Sequence, residues 1–205
     1  VRKTGGPFAL VIKKGVFAAY AAPALQQPDF PLSREEAIQQ VIDVLEERDV
    51  VVATTGMPSR EVYEYRIRKG MGHQRDFLTV GGMGHASQIA LGIALQKPER
   101  SVYCLDGDGA LLMHMGGVAL VGTLKPSNYK HIILNNGAHD SVGGQPTVAL
   151  DIDILSIARA AGYARVASAR TESELRSCLQ ELKESPGPSL LEIQVRRGAR
   201  KDLGR

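Results

Sequence analysis

The 205-residue chain reads as an α/β protein, a mostly parallel sheet with helices on both faces. Three features carry that reading. Short apolar runs such as 49–54 (DVVVAT) suit strands buried on both sides. Stretches with apolar residues at helical spacing separate them. Glycine and short polar residues gather after the strands, at 55–56, 81–85, 106–109 and 135–144. With 43% hydrophobic and 23% charged residues, disordered, collagen-like and coiled-coil chains are excluded.

Residues 7–14 (PFALVIKK), bounded by Gly5, Gly6 and Gly15, read as one strand, and the stretch through Pro23, Pro28 and Pro31 reads as a linker. Residues 1–32 are therefore expected to be the last strand of a preceding domain plus a linker, and 33–205 a domain of their own. The chain opens at Val1 rather than Met, and the expectation is that the start of a longer polypeptide is missing. Ser33 and Glu36 form a capping box, and Ala37, Ile38, Val41, Ile42 and Leu45 mark one helical face. A strand follows at 49–54, and Pro58 opens a helix toward Gly70. The alternation continues with strand 77–80, helix 85–96, strand 101–105, helix 110–124, strand 131–134 and helix 152–161. It ends with strand 164–167, a helix capped by Thr171 and Glu174, and strand 190–195.

The 25 basic and 22 acidic residues leave a net charge of +3, which points to no nucleic-acid or membrane-surface partner. The basic cluster at Arg196, Arg197, Arg200 and Lys201 reads as a solvated terminus. Cys104 and Cys178 are too few for a disulfide framework or a zinc cluster and suit a reducing compartment. No apolar run approaches the roughly 20 residues of a membrane span, and no secretory signal is seen. A cytoplasmic location is the expectation.

Open α/β sheets take ligands beyond the carboxyl ends of their strands. Asp106-Gly107-Asp108-Gly109 follows a buried strand and opens a helix, so backbone N–H groups and the positive helix end can face an anion. Asp108 would repel a bare phosphate, and its carboxylate makes sense with a divalent cation between the two. Residues 110–134 then separate this motif from Asn135-Asn136-Gly137-Ala138, an interval that fits one helix and one strand back to the same sheet edge. The Asp108 carboxylate, the Asn136 amide oxygen, a main-chain carbonyl, two diphosphate oxygens and a water would make an all-oxygen octahedron suited to magnesium.

Plainer readings stand beside this one. A lone Gly-Asp-Gly is most often a turn, Met83 alone is core filler, and His114 and His131 look structural. Gly82-Met83-Gly84 followed by Ser87 imitates a dinucleotide fingerprint, with Asp106 as the ribose partner, which would make an NAD-dependent oxidoreductase. Ser87 stands where the third glycine belongs, however, and that reading leaves Asp108 and Asn136 unexplained.

Gly-Asp-Gly followed by this interval and Asn-Asn resembles the signature of the diphosphate-binding domain of thiamine-diphosphate enzymes. The resemblance implies a thiamine-diphosphate-binding fold, with thiamine diphosphate and Mg2+ as cofactors. It implies Asp108, Asn136 and the carbonyl of Ala138 as metal ligands, with Gly107, Gly109 and Ala110 at the diphosphate. Gly81-Gly82-Met83-Gly84 is similar to the family's glycine-rich turn. Met83 is then the wedge beneath the cofactor, and Gly81 offers the carbonyl that accepts from its aminopyrimidine. Thr55 and Gly56 look like further diphosphate contacts.

ATTGMPSRE, TVGGMGHAS, LDGDGALLMH and NNGAHDSVGGQPT resemble the phosphonopyruvate decarboxylase family across most of 33–205, with sulfopyruvate decarboxylases a close relation. That implies decarboxylation of a 2-oxo acid, phosphonopyruvate giving phosphonoacetaldehyde and CO2. His85 and His139 are then candidates for facing the substrate or transferring a proton. Residues 7–14 resemble the last strand of the family's pyrimidine-binding domain, which supplies an essential glutamate. A partner domain or subunit, and a homo- or hetero-oligomer, are implied. A sulfopyruvate decarboxylase beta-type subunit and a non-catalytic cofactor-binding fragment are the alternatives within the same resemblance.

Overall fold

The computed structural model describes residues 5–18 and 29–204. Strands β1 (Val50–Ala53), β2 (Asp76–Leu78), β3 (Val102–Gly107) and β4 (Tyr129–Asn135) alternate with helices α1 (Arg34–Asp43), α2 (Met57–Arg68) and α3 (Ala86–Gln96). Two short helices, α4 (Asp108–Met113) and α5 (Gly116–Leu124), lie between β3 and β4. A two-stranded hairpin of β5 (Ala138–His139) and β6 (Gln145–Pro146) follows, then α6 (Ile154–Ala161), β7 (Arg165–Ala169), α7 (Glu172–Glu184) and β8 (Ser189–Gln194). The main sheet has the order β2-β1-β3-β4-β8-β7, and every neighbouring pair is parallel.

Period-two alternation divides each strand between two layers. Val51, Ala53, Tyr103, Leu105, Ile132 and Leu134 pack toward α1, α2 and α7. Val52, Val102, Cys104, Tyr129 and Ile133 pack toward α3, α5 and α6. In both cores each fully buried Ile or Leu contributes about 1.5–3 kcal/mol relative to exposure. The capping boxes expected at Ser33–Glu36 and Thr171–Glu174 both form, fixing where α1 and α7 begin.

Several elements differ from the sequence reading. β3 runs on through Asp106 and Gly107, because both residues keep pairing with β4, at Ile133 and Leu134. The helix expected over 110–124 is broken between α4 and α5 at His114 and Met115, just before the Gly116-Gly117 pair with its poor helix propensity. Residues 7–14 form no strand: Phe8 is 75% exposed, and no strand among the described residues lies beside the segment to complete its hydrogen bonds. Pro23 and Pro28 of the expected linker fall outside the described residues.

After β1 the chain moves outward to β2, then crosses back so that β3 pairs with the other side of β1. That reversal opens a crevice at the carboxyl ends of β1 and β3, where ligands of open α/β sheets sit. No helix among the described residues is long and apolar enough to cross a membrane.

Candidate active site

A cleft occupies that crevice. Thr54 and Thr55 come from the end of β1, Met83 from the turn before α3, and Gly107, Asp108, Gly109 and Ala110 from the junction of β3 and α4. Asn136, Ala138 and His139 come from the segment after β4. The two motifs separated by residues 110–134 meet here: Asp108 and Asn136 both line the cleft, with the backbone N–H groups of Gly109 and Asn136 near the Asp108 carboxylate. Asp108 is 2% exposed, and burial pushes its carboxyl pKa up while the Thr147 hydroxyl and these N–H groups pull it down. Thr147 Oγ1 donates to Asp108 Oδ2 at 2.5 Å.

The Asn136 side chain is held at both ends. Its Oδ1 accepts from the N–H of Ala138 at 2.9 Å, and its Nδ2 donates to Asp140 Oδ2 at 2.7 Å. His139 lies over Gly109 so closely that a Cβ there would stand 2.4 Å from its Nδ1, so any larger residue at the start of α4 would have to displace that ring. Thr55 Oγ1 accepts the N–H of Gly81 at 2.9 Å, tying the first two loops together. Gly81, Gly82 and Gly84 all have φ between +62° and +88°, the left-handed turn that carries Met83 into the cleft.

Not every expected residue reaches the cleft. Gly81 and Gly82 reach it only through the turn that carries Met83, and Gly56 lines an adjacent hollow of about 450 Å3 together with Arg60, Tyr63 and Val80. His85 is exposed and faces a separate groove, with its ring 4.2 Å from that of His114. Asp106 is fully buried: Oδ1 accepts the N–H of Gly107 at 3.0 Å, and Oδ2 lies 3.4 Å from His131 Nε2. It is closed to a ribose, which removes the acidic partner the dinucleotide reading needs.

Sequence reasoning missed the network behind the cleft. Arg34, at the start of α1, makes a bidentate pair with Glu61 at 2.9 and 3.0 Å and reaches Asp140 at 3.1 Å. Burial opposes the Arg34 charge, and these two carboxylates more than offset it, raising its pKa. The basic tail is not a free solvated terminus. Arg197 donates to the carbonyls of Asn136 at 3.1 Å and Gly137 at 2.7 Å, and Arg200 pairs with Glu35 at 3.0 Å and with Glu64. These partners lie far apart along the chain and share no spacing rule. The signal present was local: Asp140 and Thr147 both stand inside NNGAHDSVGGQPT.

A parallel sheet with a glycine-lined, carboxylate-bearing cleft at its switch point defines an α/β domain that binds a phosphorylated cofactor. Residues 54–193 match the thiamine pyrophosphate enzyme family's C-terminal TPP binding domain, and the chain belongs to that family. It is 38% identical over 173 residues to a phosphonopyruvate decarboxylase of Streptomyces viridochromogenes, covering 84% of this chain and 42% of that protein. It is 39% identical over 132 residues to a sulfopyruvate decarboxylase subunit beta of Methanothermobacter thermautotrophicus, covering 64% of this chain and 68% of that subunit. The chain thus spans less than half the length of its Streptomyces relatives. Among solved structures, benzoylformate decarboxylase of Polynucleobacter necessarius superposes with a TM-score of 0.69 at 18% identity, over 87% of this chain and 36% of that one, a likeness of fold.

The residues present fit a diphosphate bridged by a hard cation. Asp108, a buried carboxylate, and Asn136, which carries an amide oxygen, both line the cleft, and both offer oxygen donors of the kind magnesium takes. Thr54 Oγ1, also at the cleft, is buried with no hydrogen-bond partner, a group a bound ligand would satisfy.

Proposed function

We propose that this chain is the diphosphate-binding half of a thiamine-diphosphate- and Mg2+-dependent decarboxylase acting on phosphonopyruvate, yielding phosphonoacetaldehyde and CO2. The observation that carries this reading is the meeting of Asp108 and Asn136 at one cleft in a chain that matches the TPP binding domain over residues 54–193. Asp108, Asn136 and the carbonyl of Ala138 would hold the metal. Thr55, Gly56, Gly107, Gly109 and Ala110 would surround the diphosphate, and Gly81, Gly82 and Met83 would support the rest of the cofactor. Bound thiamine diphosphate supplies the electron sink for loss of CO2 from a 2-oxo acid. The chain's own part is to fix position and charge and to keep an imidazole beside the substrate. His139 suits that task, since its ring lines the cleft; His85 keeps a part only through the turn it closes, where its Nδ1 lies 3.1 Å from the carbonyl of Gly82.

A sulfopyruvate decarboxylase beta-type subunit is the second reading. The match to a separate beta subunit over 68% of that subunit's length favours it. Both substrates are 2-oxo acids with a tetrahedral anion at the far end, so a direct assay decides between them. Incubation with a pyrimidine-binding partner, Mg2+, thiamine diphosphate and each acid should release CO2, faster from phosphonopyruvate. A tenfold preference for sulfopyruvate would reverse the assignment.

The cofactor claim has its own test. Wild-type chain should bind thiamine diphosphate in calorimetry only with Mg2+ present, and Asp108→Ala should abolish that binding while remaining folded by circular dichroism. Unchanged Mg2+-dependent affinity in the variant would overturn the metal assignment.

A further inference from the structure

The segment 136–147 does more than offer Asn136 to the cleft. It folds back through the β5–β6 hairpin so that Thr147 stands against Asp108, and the N–H of Thr147 donates to the carbonyl of Gly137 at 3.0 Å, closing the loop on itself. The Thr147 hydroxyl has its own acceptor duty, because the N–H of Ala149 donates to Oγ1 at 3.3 Å. Its single proton is thereby directed at Asp108 Oδ2. A carboxylate tethered by one oxygen has lost its rotation, and the other oxygen is set in direction.

At Asn136 the same logic runs through Asp140. An ionised carboxylate only accepts hydrogen bonds, so the amide must present its NH2 end to Asp140 Oδ2. A flipped amide would face oxygen to oxygen there and would set NH2 against the N–H of Ala138 on the other side. Asp140 therefore decides which end of Asn136 is the oxygen end. Its own place is fixed by Arg34 Nη1 at 3.1 Å and by the N–H of Gly198 at 2.8 Å, with Arg34 clamped in turn by Glu61.

We infer that Thr147 and Asp140 are positioning residues for the metal site, Thr147 setting the carboxylate of Asp108 and Asp140 setting the amide of Asn136. This rests on the reading of Asp108 and Asn136 as Mg2+ ligands. Removing a group that orients a metal ligand typically lowers metal affinity by about 10–100-fold.

The test titrates Mg2+ calorimetrically into the full chain with thiamine diphosphate present, for wild type, Asp108→Ala, Thr147→Val, Thr147→Ser, Asp140→Ala and Asp140→Asn. Melting is followed without metal in parallel. Thr147→Val and Asp140→Ala should raise the half-saturating Mg2+ concentration by about tenfold or more. Thr147→Ser and Asp140→Asn, which restore a donor and an acceptor, should return most of it. Wild type without Mg2+-dependent binding would overturn the functional reading and this inference together. Binding abolished by Asp108→Ala yet unchanged in Thr147→Val and Asp140→Ala would overturn the inference alone, as would a loss equally large in the serine and valine variants. Should Asp140→Ala melt early from the loss of its Arg34 contact, the near-isosteric Thr147→Val and its serine rescue decide.

Discussion

Lys130 lies on β4 with its ammonium buried, 2% exposed, and its Nζ donating to the carbonyl of Ser185. Burial pushes its pKa down to about 8, with Asp49 pulling weakly the other way. In the unfolded chain the group titrates near its ordinary 10.5. Between these two values the unfolded state binds more protons, so the Lys130 contribution to stability rises as pH climbs from 8 toward 10.5, and at neutral pH the buried charge is unfavourable. Lys130→Met keeps the aliphatic stem and removes the charge. It should melt about 2–4 °C higher than wild type at pH 7, with the gap closing by pH 10. A variant that melts lower at pH 7, with a gap independent of pH, would show that the Ser185 contact outweighs burial. Asp108, the proposed metal ligand, is the counterpart at the opposite end of the sheet. There burial also disfavours the charged form, and a cation at the cleft is the natural compensation. That Asp108 and Asn136 line one cleft was legible in the sequence, because both stand in short motifs one helix-and-strand interval apart. Arg34, Glu61 and Arg197 were not, since their roles arise only when distant segments fold against the loop.

Among the elements, the strands of the central sheet were legible because residues buried on both faces leave uninterrupted apolar runs. β2 was the least well bounded, offset from the expected 77–80 to Asp76–Leu78, and it is an edge strand with burial on fewer sides. The α4–α5 break was written in Gly116-Gly117, yet the continuous apolar periodicity masked it. α5 carries a third glycine with a different duty. A Cβ at Gly122 would stand 1.9 Å from the carbonyl oxygen of Ala161 and 3.1 Å from the nitrogen of Gly162, so the end of α6 rests directly on the backbone of α5. Gly122→Ala must push the two helices apart. Overpacking of this kind costs about 1–3 kcal/mol, which urea denaturation should read as a lower midpoint with an unchanged slope. A midpoint equal to wild type would mean that the helix pair can slide without penalty.

At the scale of the whole molecule, part of the exposed apolar surface lies beside the cleft. Val80 is 99% exposed, and with Tyr63 it borders the hollow beside the cleft, with Thr55 shared between the two. Phe77 and Ile67, from β2 and α2, are also about half exposed. Exposed apolar surface collected next to a binding cleft marks a place where another protein surface packs. The chain spans 42% of its Streptomyces relatives, and the proposal above assigns the remaining catalytic groups to a pyrimidine-binding partner. The two observations converge on one expectation: the partner covers this hollow and completes the site. The chain alone should then release no CO2 from phosphonopyruvate, and mixing with the partner should restore release. Val80→Glu places a charge on a fully exposed position, where substitutions usually change stability by within about 0.5 kcal/mol. It should therefore leave melting and Mg2+-dependent thiamine diphosphate binding by the chain untouched while cutting CO2 release from the mixture by tenfold or more, in the manner of a charge buried unpaired at an interface. Full activity of the Val80→Glu mixture would move the partner to another face of the sheet.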